Sequence, residues 1–153
     1  MPVQQHVLAW DYPYAHIVSI TVGETDIDMM GHTNNVVYLR WLEQAAWAHS
    51  NALGLDWLAY KRLNRAMVAR RHELDYLAPS FKGDQLQVGT WLAENDGRLS
   101  MWRRYQIIRV SDGQTLLRGL THWVCVDLES GKPRRQPEEF LQAYAVANPL
   151  KPR

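Results

Sequence analysis

Cysteine is almost missing from this chain. A single one, Cys125, excludes an internal disulfide and fits a reducing compartment. No apolar run approaches the roughly 20 residues needed to span a bilayer. Met1 to Tyr14 lacks the basic segment and following apolar segment of a secretory signal. These absences predict a cytoplasmic protein with no membrane association. An excess of one charge is missing too: 17 Lys and Arg stand against 16 Asp and Glu, a net charge of +1. That balance provides no footprint for nucleic acid and no basic run for an anionic surface. There is no Gly-x-Ser-x-Gly elbow, and Cys125 falls mid-strand with no helix N-terminus to activate it, which disfavours a serine or cysteine nucleophile. His72 and His122 read as satisfied strand histidines without ligand spacing to His32 or Cys125, so no metal and no cofactor is expected.

Aromatic residues are what the chain has in excess. Seven Trp and seven Tyr in 153 residues suggest aromatic surface for an interface or an acyl-type ligand, with an aromatic-rich core as the alternative. The length predicts one domain over residues 1–153, with a core of about 15–142, able to bury roughly two thirds of its unfolded surface.

Periodicity and punctuation give the elements. His16 to Val22 alternates as a first strand and stops at Gly23. A long helix is predicted from Asn35 to Leu53, capped by Thr33 or Asn34 and stopped by Gly54. Its apolar stripe is read as Val36, Leu39, Ala46 and Trp47, with Glu43 among them. Asp56 to Asn64 reads as a second, short helix. Strands follow at Ala66 to Tyr76, Gln85 to Glu94, Leu99 to Val110 and Thr115 to Asp127. Lys82-Gly83-Asp84, Asn95-Asp96-Gly97 and Ser111-Asp112-Gly113 are the turns between them. Gln136 to Leu141 reads as a helix with Pro137 at its first position, before a frayed tail from Asn148. The economical arrangement is α+β, one antiparallel five-stranded sheet wrapped around the long helix.

Chemistry concentrates in the stretch from Glu24 to Glu43. It places Asp26, Asp28 and a Gly31 turn directly before a helix whose first N–H groups are unpaired and partially positive. A carboxylate there can attack a carbonyl, or activate water against one, while those N–H groups polarise it. That is a hydrolase constellation. The alternative for Asp28 is a cap or an Asx-turn. Asp26-x-Asp28-x-x-Gly31 also opens like a calcium loop, but Met30 at the fifth position and Val37 at the twelfth end that reading.

The order Asp26-x-Asp28-x-x-Gly31-His32-x-Asn34-Asn35-x-x-Tyr38-x-x-Trp41-x-Glu43 resembles the signature of hotdog-fold thioesterases of the 4-hydroxybenzoyl-CoA thioesterase type. Leu74 to Pro79 with Lys82-Gly83-Asp84, and Trp123 to Asp127 before Gly131-Lys132-Pro133, resemble that family's later strands, so the likeness runs from about Ile17 to Phe140. The resemblance implies a hotdog fold and hydrolysis of an acyl-CoA or acyl-carrier-protein thioester. It puts Asp28 in the catalytic position, as nucleophile or general base, and the Asn35 backbone N–H in that of oxyanion donor. Both are physically sound, because aimed donors act best where charge develops. Glu43 is the rival acid, since some hotdog thioesterases use a carboxylate on the central helix; its alternative is an ion pair with Arg40. Gly31, His32 and Tyr38 are expected to bind substrate. His32 matches a catalytic histidine of the acyl-carrier-protein enzymes, but their paired asparagine is replaced by Met30, which favours an orienting role. Arg70, Arg71, Lys82 and the Lys132-Arg134-Arg135 cluster are candidates for the coenzyme A phosphates. A lone hotdog has a half-made pocket, so the resemblance implies a homodimer or homotetramer. Rival readings are a hotdog dehydratase, for which His49 is the only helix histidine, and a non-catalytic acyl-thioester-binding module.

Overall fold

In the computed structural model, which describes residues 7–146, the turn formers divide the chain as the sequence predicts. Strand β1 is His16–Thr21, helix α1 is Asn35–Ala52 and helix α2 is Trp57–Leu63. Strands β2 (Arg65–Tyr76), β3 (Gln85–Asn95), β4 (Ser100–Arg109) and β5 (Thr115–Asp127) follow, then helix α3 (Glu138–Ala143). A 3₁₀ turn at Glu24–Asp26 begins the acidic loop. The predicted tail from Asn148 lies outside the described residues.

Local chemistry sets the boundaries. Asn34 caps α1 by accepting the Val36 N–H at 3.1 Å, and Asp56 caps α2 by accepting the Ala59 N–H at 2.8 Å. Gly54, at φ +86°, takes the left-handed conformation that ends α1 beyond Leu53. The five strands form one antiparallel sheet in the order β1-β3-β4-β5-β2. β2 therefore lies at an edge, paired only with β5, and is the longer of the two edge strands.

The sheet wraps α1. Val37, Tyr38, Trp41, Leu42, Ala45 and Ala46 pack against residues from all five strands, among them Val18, Leu74, Val88, Ile107 and Leu117. A second cluster joins α2 and α3 to the other end of the sheet through Tyr60, Met101, Cys125, Phe140 and Tyr144.

The stripe predicted for α1 is borne out at Ala46, which is buried, while Leu39 is half-buried and the rest of the stripe is uncovered. Val36 is 67% exposed and Trp47 45% exposed, and Glu43 is exposed as well. The buried row is offset by one position, because α1 carries apolar residues on two adjacent rows and the sheet covers only one. Val36, Glu43 and Trp47 belong to the uncovered row, so Glu43 does not lie on a buried stripe.

Leu42 is at the centre of this packing, 1% exposed against the sheet. Leu42→Ala should lower unfolding free energy by about 2–5 kcal/mol, measured by denaturant titration, because the sheet cannot collapse onto the missing volume.

Candidate active site

The acidic loop is built by its own carboxylates. Asp26 Oδ2 accepts the Gly23 N–H at 2.8 Å, and the Asp26 carbonyl accepts the Asn34 N–H at 2.8 Å. These bonds fix both ends of the loop. Within it, a bridge between Ile27 and Thr33 closes a small hairpin whose turn contains Gly31 at φ +80°.

Asp28 sits in that turn. Its Oδ1 accepts the Met30 N–H at 2.9 Å and the His32 N–H at 3.4 Å. The Asx-turn offered by the sequence as the alternative for Asp28 is therefore present, and it occupies one oxygen. Among the described residues Oδ2 accepts no hydrogen bond. Asp28 lines a cavity of about 220 Å³ together with Met30, His32, Asn35, Tyr38 and Tyr76. Asn35 is the first residue of α1; the Asn34 side chain takes the Val36 N–H and the Asn34 carbonyl takes the Val37 N–H. The Asn35 N–H makes no hydrogen bond to any described residue. Asp28, with one carboxylate oxygen free among the described residues, and Asn35, the first residue of an 18-residue helix, thus line one cavity.

A knot centred on Ser80 holds this cavity's walls in place. Ser80 is fully buried and Thr33 and Tyr38 nearly so. The Ser80 N–H donates to Tyr38 Oη at 3.1 Å, and Tyr38 Oη lies 2.8 Å from Ser80 Oγ. Ser80 Oγ lies 2.6 Å from Thr33 Oγ1, which donates to the Ser80 carbonyl at 3.2 Å. The Thr33 N–H donates to the same carbonyl at 2.9 Å. One proton arrangement satisfies every hydroxyl: Tyr38 donates to Ser80, Ser80 to Thr33, and Thr33 to the carbonyl. Arg109 secures the same segment from below, donating from Nη1 to the Pro79 carbonyl at 3.0 Å and to Asp84 Oδ2 at 3.2 Å.

The other predicted residues are dispersed. His32 borders the Asp28 cavity and meets the edge of Phe81, the ring centres 5.2 Å apart. Gly31 shapes the turn and is not part of the cavity wall. Arg70 and Arg71 lie on β2 and do not reach the cavity within one protomer; Arg71 pairs with Glu73 at 2.7 Å. Glu43 lines a separate cavity, of about 270 Å³, and among the described residues forms no ion pair with Arg40. His72 Nδ1 lies 2.7 Å from Thr121 Oγ1, and His122 Nε2 lies 3.0 Å from Ser100 Oγ. Cys125 is fully buried, and burial pushes its thiol up to about 11, which keeps it out of nucleophilic chemistry.

Sequence reasoning missed three contributors. Ser80 follows Ala78-Pro79 without any motif. Tyr76, which donates to the Asn35 carbonyl at 3.0 Å, reads only as a strand residue. Arg103 did carry a signal: on β4 it shares a period-two row with the buried Met101, Tyr105 and Ile107.

A family model described as thioesterase-like superfamily matches residues 22–144. This chain belongs to the thioesterase-like superfamily. The long-chain acyl-CoA thioesterase FadM of Escherichia coli (strain K12) is 29% identical over 115 residues, 74% of this chain and 84% of that protein. The crystal structure of a probable thioesterase, YbaW, from Escherichia coli is similar at a TM-score of 0.74, with 26% identity over 84% of this chain and 95% of that one. A 1,4-dihydroxy-2-naphthoyl-CoA thioesterase from Synechocystis shares the fold at a TM-score of 0.76 and 21% identity, covering 85% of this chain and 95% of that one. The five-stranded sheet around α1 is the hotdog fold of this superfamily, and the protein is a thioester hydrolase. No described helix is long and apolar enough to cross a membrane.

The Ser80 knot generates a test. Ser80→Ala should cost about 1–3 kcal/mol of unfolding free energy, the scale of buried hydrogen bonds broken on one side. Denaturant titration checks it; an unchanged midpoint would remove the knot from the list of loop anchors.

Proposed function

We propose that this thioester hydrolase acts on acyl-CoA, with Asp28 as the catalytic carboxylate and the Asn35 N–H as oxyanion donor. The observation that carries the reading is the cavity lined by both Asp28 and Asn35, whose Oδ2 and N–H bond to no described residue. On this reading the thioester carbonyl oxygen sits on the Asn35 N–H and its carbon faces the Asp28 carboxylate. Asp28 then either attacks directly, expelling the CoA thiolate and leaving an anhydride for water to open, or takes a proton from the water that attacks. In both routes negative charge grows on the carbonyl oxygen beside the α1 N-terminus, where one donor is typically worth about 3 kcal/mol. Gly31 gives the turn its conformation, while His32 and Tyr38 form the wall against which the thioester is positioned. The likeness to FadM supports acyl-CoA as the substrate class.

The active unit is a homodimer or homotetramer. A cavity of about 220 Å³ falls below the roughly 300–1,000 Å³ of ordinary small-molecule sites. The free edge of β2, with Val68 43% and Tyr76 47% exposed, is the surface for a second copy. Arg70 and Arg71 lie on that edge and meet coenzyme A phosphates only across such an interface. The lone buried cysteine is consistent with a cytoplasmic setting.

Nothing in the geometry favours a dehydratase. His49 Nδ1 lies 2.8 Å from Arg103 Nη1, and burial together with that cation lowers its pKa to about 3.

A thiol-release assay over a panel of acyl-CoAs tests the reading, and hydrolysis without added metal is the expected result. A protein that binds acyl-CoA without releasing thiol would be a binding module instead. Sedimentation at micromolar concentration should give a dimer or larger; a fully active monomer would contradict the shared pocket.

A further inference from the structure

Arg103 is a fully charged type of side chain sealed in the interior. It is 1% exposed on β4, and among the described residues no carboxylate lies within ion-pair distance of it. Its hydrogen bonds both run through Nη1, to His49 Nδ1 at 2.8 Å and to Thr90 Oγ1 at 3.2 Å. Nε is buried with no partner at all. The surrounding phenols do not supply a counter-charge: burial raises the pKa values of Tyr60, Tyr105 and Tyr144, so all three are neutral at physiological pH. A desolvated cation without an anion is one of the costlier arrangements a fold can hold.

Arg103 also lines the 270 Å³ cavity, whose other walls are mostly apolar: Ala46, Trp47, Met67, Val68 and Met101. Ser50, Tyr60 and Tyr144 on its wall are already bonded to one another, while the Trp123 indole N–H is buried without a partner among the described residues. Glu43 stands exposed on the same cavity and does not pair with Arg103. The volume holds roughly nine water-sized groups. An apolar sleeve bordered by a buried cation without a counter-ion matches a chain of methylenes ending in a carboxylate, which would supply that counter-ion.

The two cavities meet if β2 pairs with β2 of a second copy. Tyr76, at the C-terminal end of β2, borders the Asp28 cavity, while Met67, Val68 and Ala69, near its N-terminal end, border the Arg103 cavity. Antiparallel pairing about the strand's middle sets one end beside the other. In that arrangement the Asp28 cavity of one protomer would lie toward the Arg103 cavity of its partner.

Building on the thioesterase reading above, we propose that the Arg103 cavity receives the far end of the acyl group and selects substrates carrying a distal carboxylate, the CoA monothioesters of dicarboxylic acids. The experiment compares kcat/KM for an ω-carboxyacyl-CoA with that for a methyl-terminated acyl-CoA of equal length. The wild-type protein should favour the carboxylate by tenfold to a hundredfold, the range of a charge-assisted hydrogen-bonded contact. In Arg103→Met the ratio should collapse to one or below. A wild-type ratio of one or less, or a preference for a phenolic acyl group, overturns the inference and leaves the thioesterase reading intact. Failure to hydrolyse any acyl-CoA overturns the thioesterase reading instead. Melting of the wild-type protein with free adipate or hexanoate decides the Arg103 site without relying on turnover or on the variant's folding. Adipate alone should raise the melting temperature; no shift, or an equal shift with hexanoate, also overturns it.

Discussion

Ser80 ties three separate pieces of chain into one site. Its carbonyl and hydroxyl hold Thr33 at the end of the acidic loop, and its N–H and hydroxyl hold Tyr38 in the first turns of α1. Because all three residues are buried, each bond is made where water cannot replace it, and losing one leaves a polar group stranded. The direction of the helix N-terminus relative to Asp28 depends on this knot. Arg109 transmits the constraint to the sheet, since it binds both the Pro79 carbonyl and Asp84. A carboxylate and a backbone donor on a mobile loop would not hold the geometry that stabilises a developing oxyanion.

The unfinished parts of the protomer are informative in the same way. β2 offers an unpaired edge, the Val36–Glu43–Trp47 row of α1 is uncovered, and both cavities open beside them. These features share one open side, the surface that the proposed second copy would cover.

What was legible in the sequence was local. The strands could be read because Lys82-Gly83-Asp84, Asn95-Asp96-Gly97 and Ser111-Asp112-Gly113 punctuate them, and Gly83, Gly97 and Gly113 all adopt the positive φ such turns require. That Asp28 and Asn35 lie beside one another could be read because the loop and the helix start are contiguous. Ser80 could not, because it acts on Thr33 from 47 positions away. Arg103 meets His49 across 54 positions, and only its place in a buried alternating row hinted that it points inward. The helix stripe was right at Ala46 and misplaced at Val36, Glu43 and Trp47, since two apolar rows are adjacent on α1 and the sequence does not say which one the sheet covers.

The central claim is that the loop carboxylate, and not the helix carboxylate, does the chemistry. Side-by-side turnover of Asp28→Asn and Glu43→Gln on the same acyl-CoA tests it most directly. Asparagine keeps the Asx-turn acceptor while removing the charge, so kcat should fall about a hundredfold or more with the melting temperature nearly unchanged, the scale of general-base or nucleophilic roles. Glu43→Gln should cost much less. Near-normal turnover in Asp28→Asn beside an inactive Glu43→Gln would contradict the account and move the catalyst onto α1.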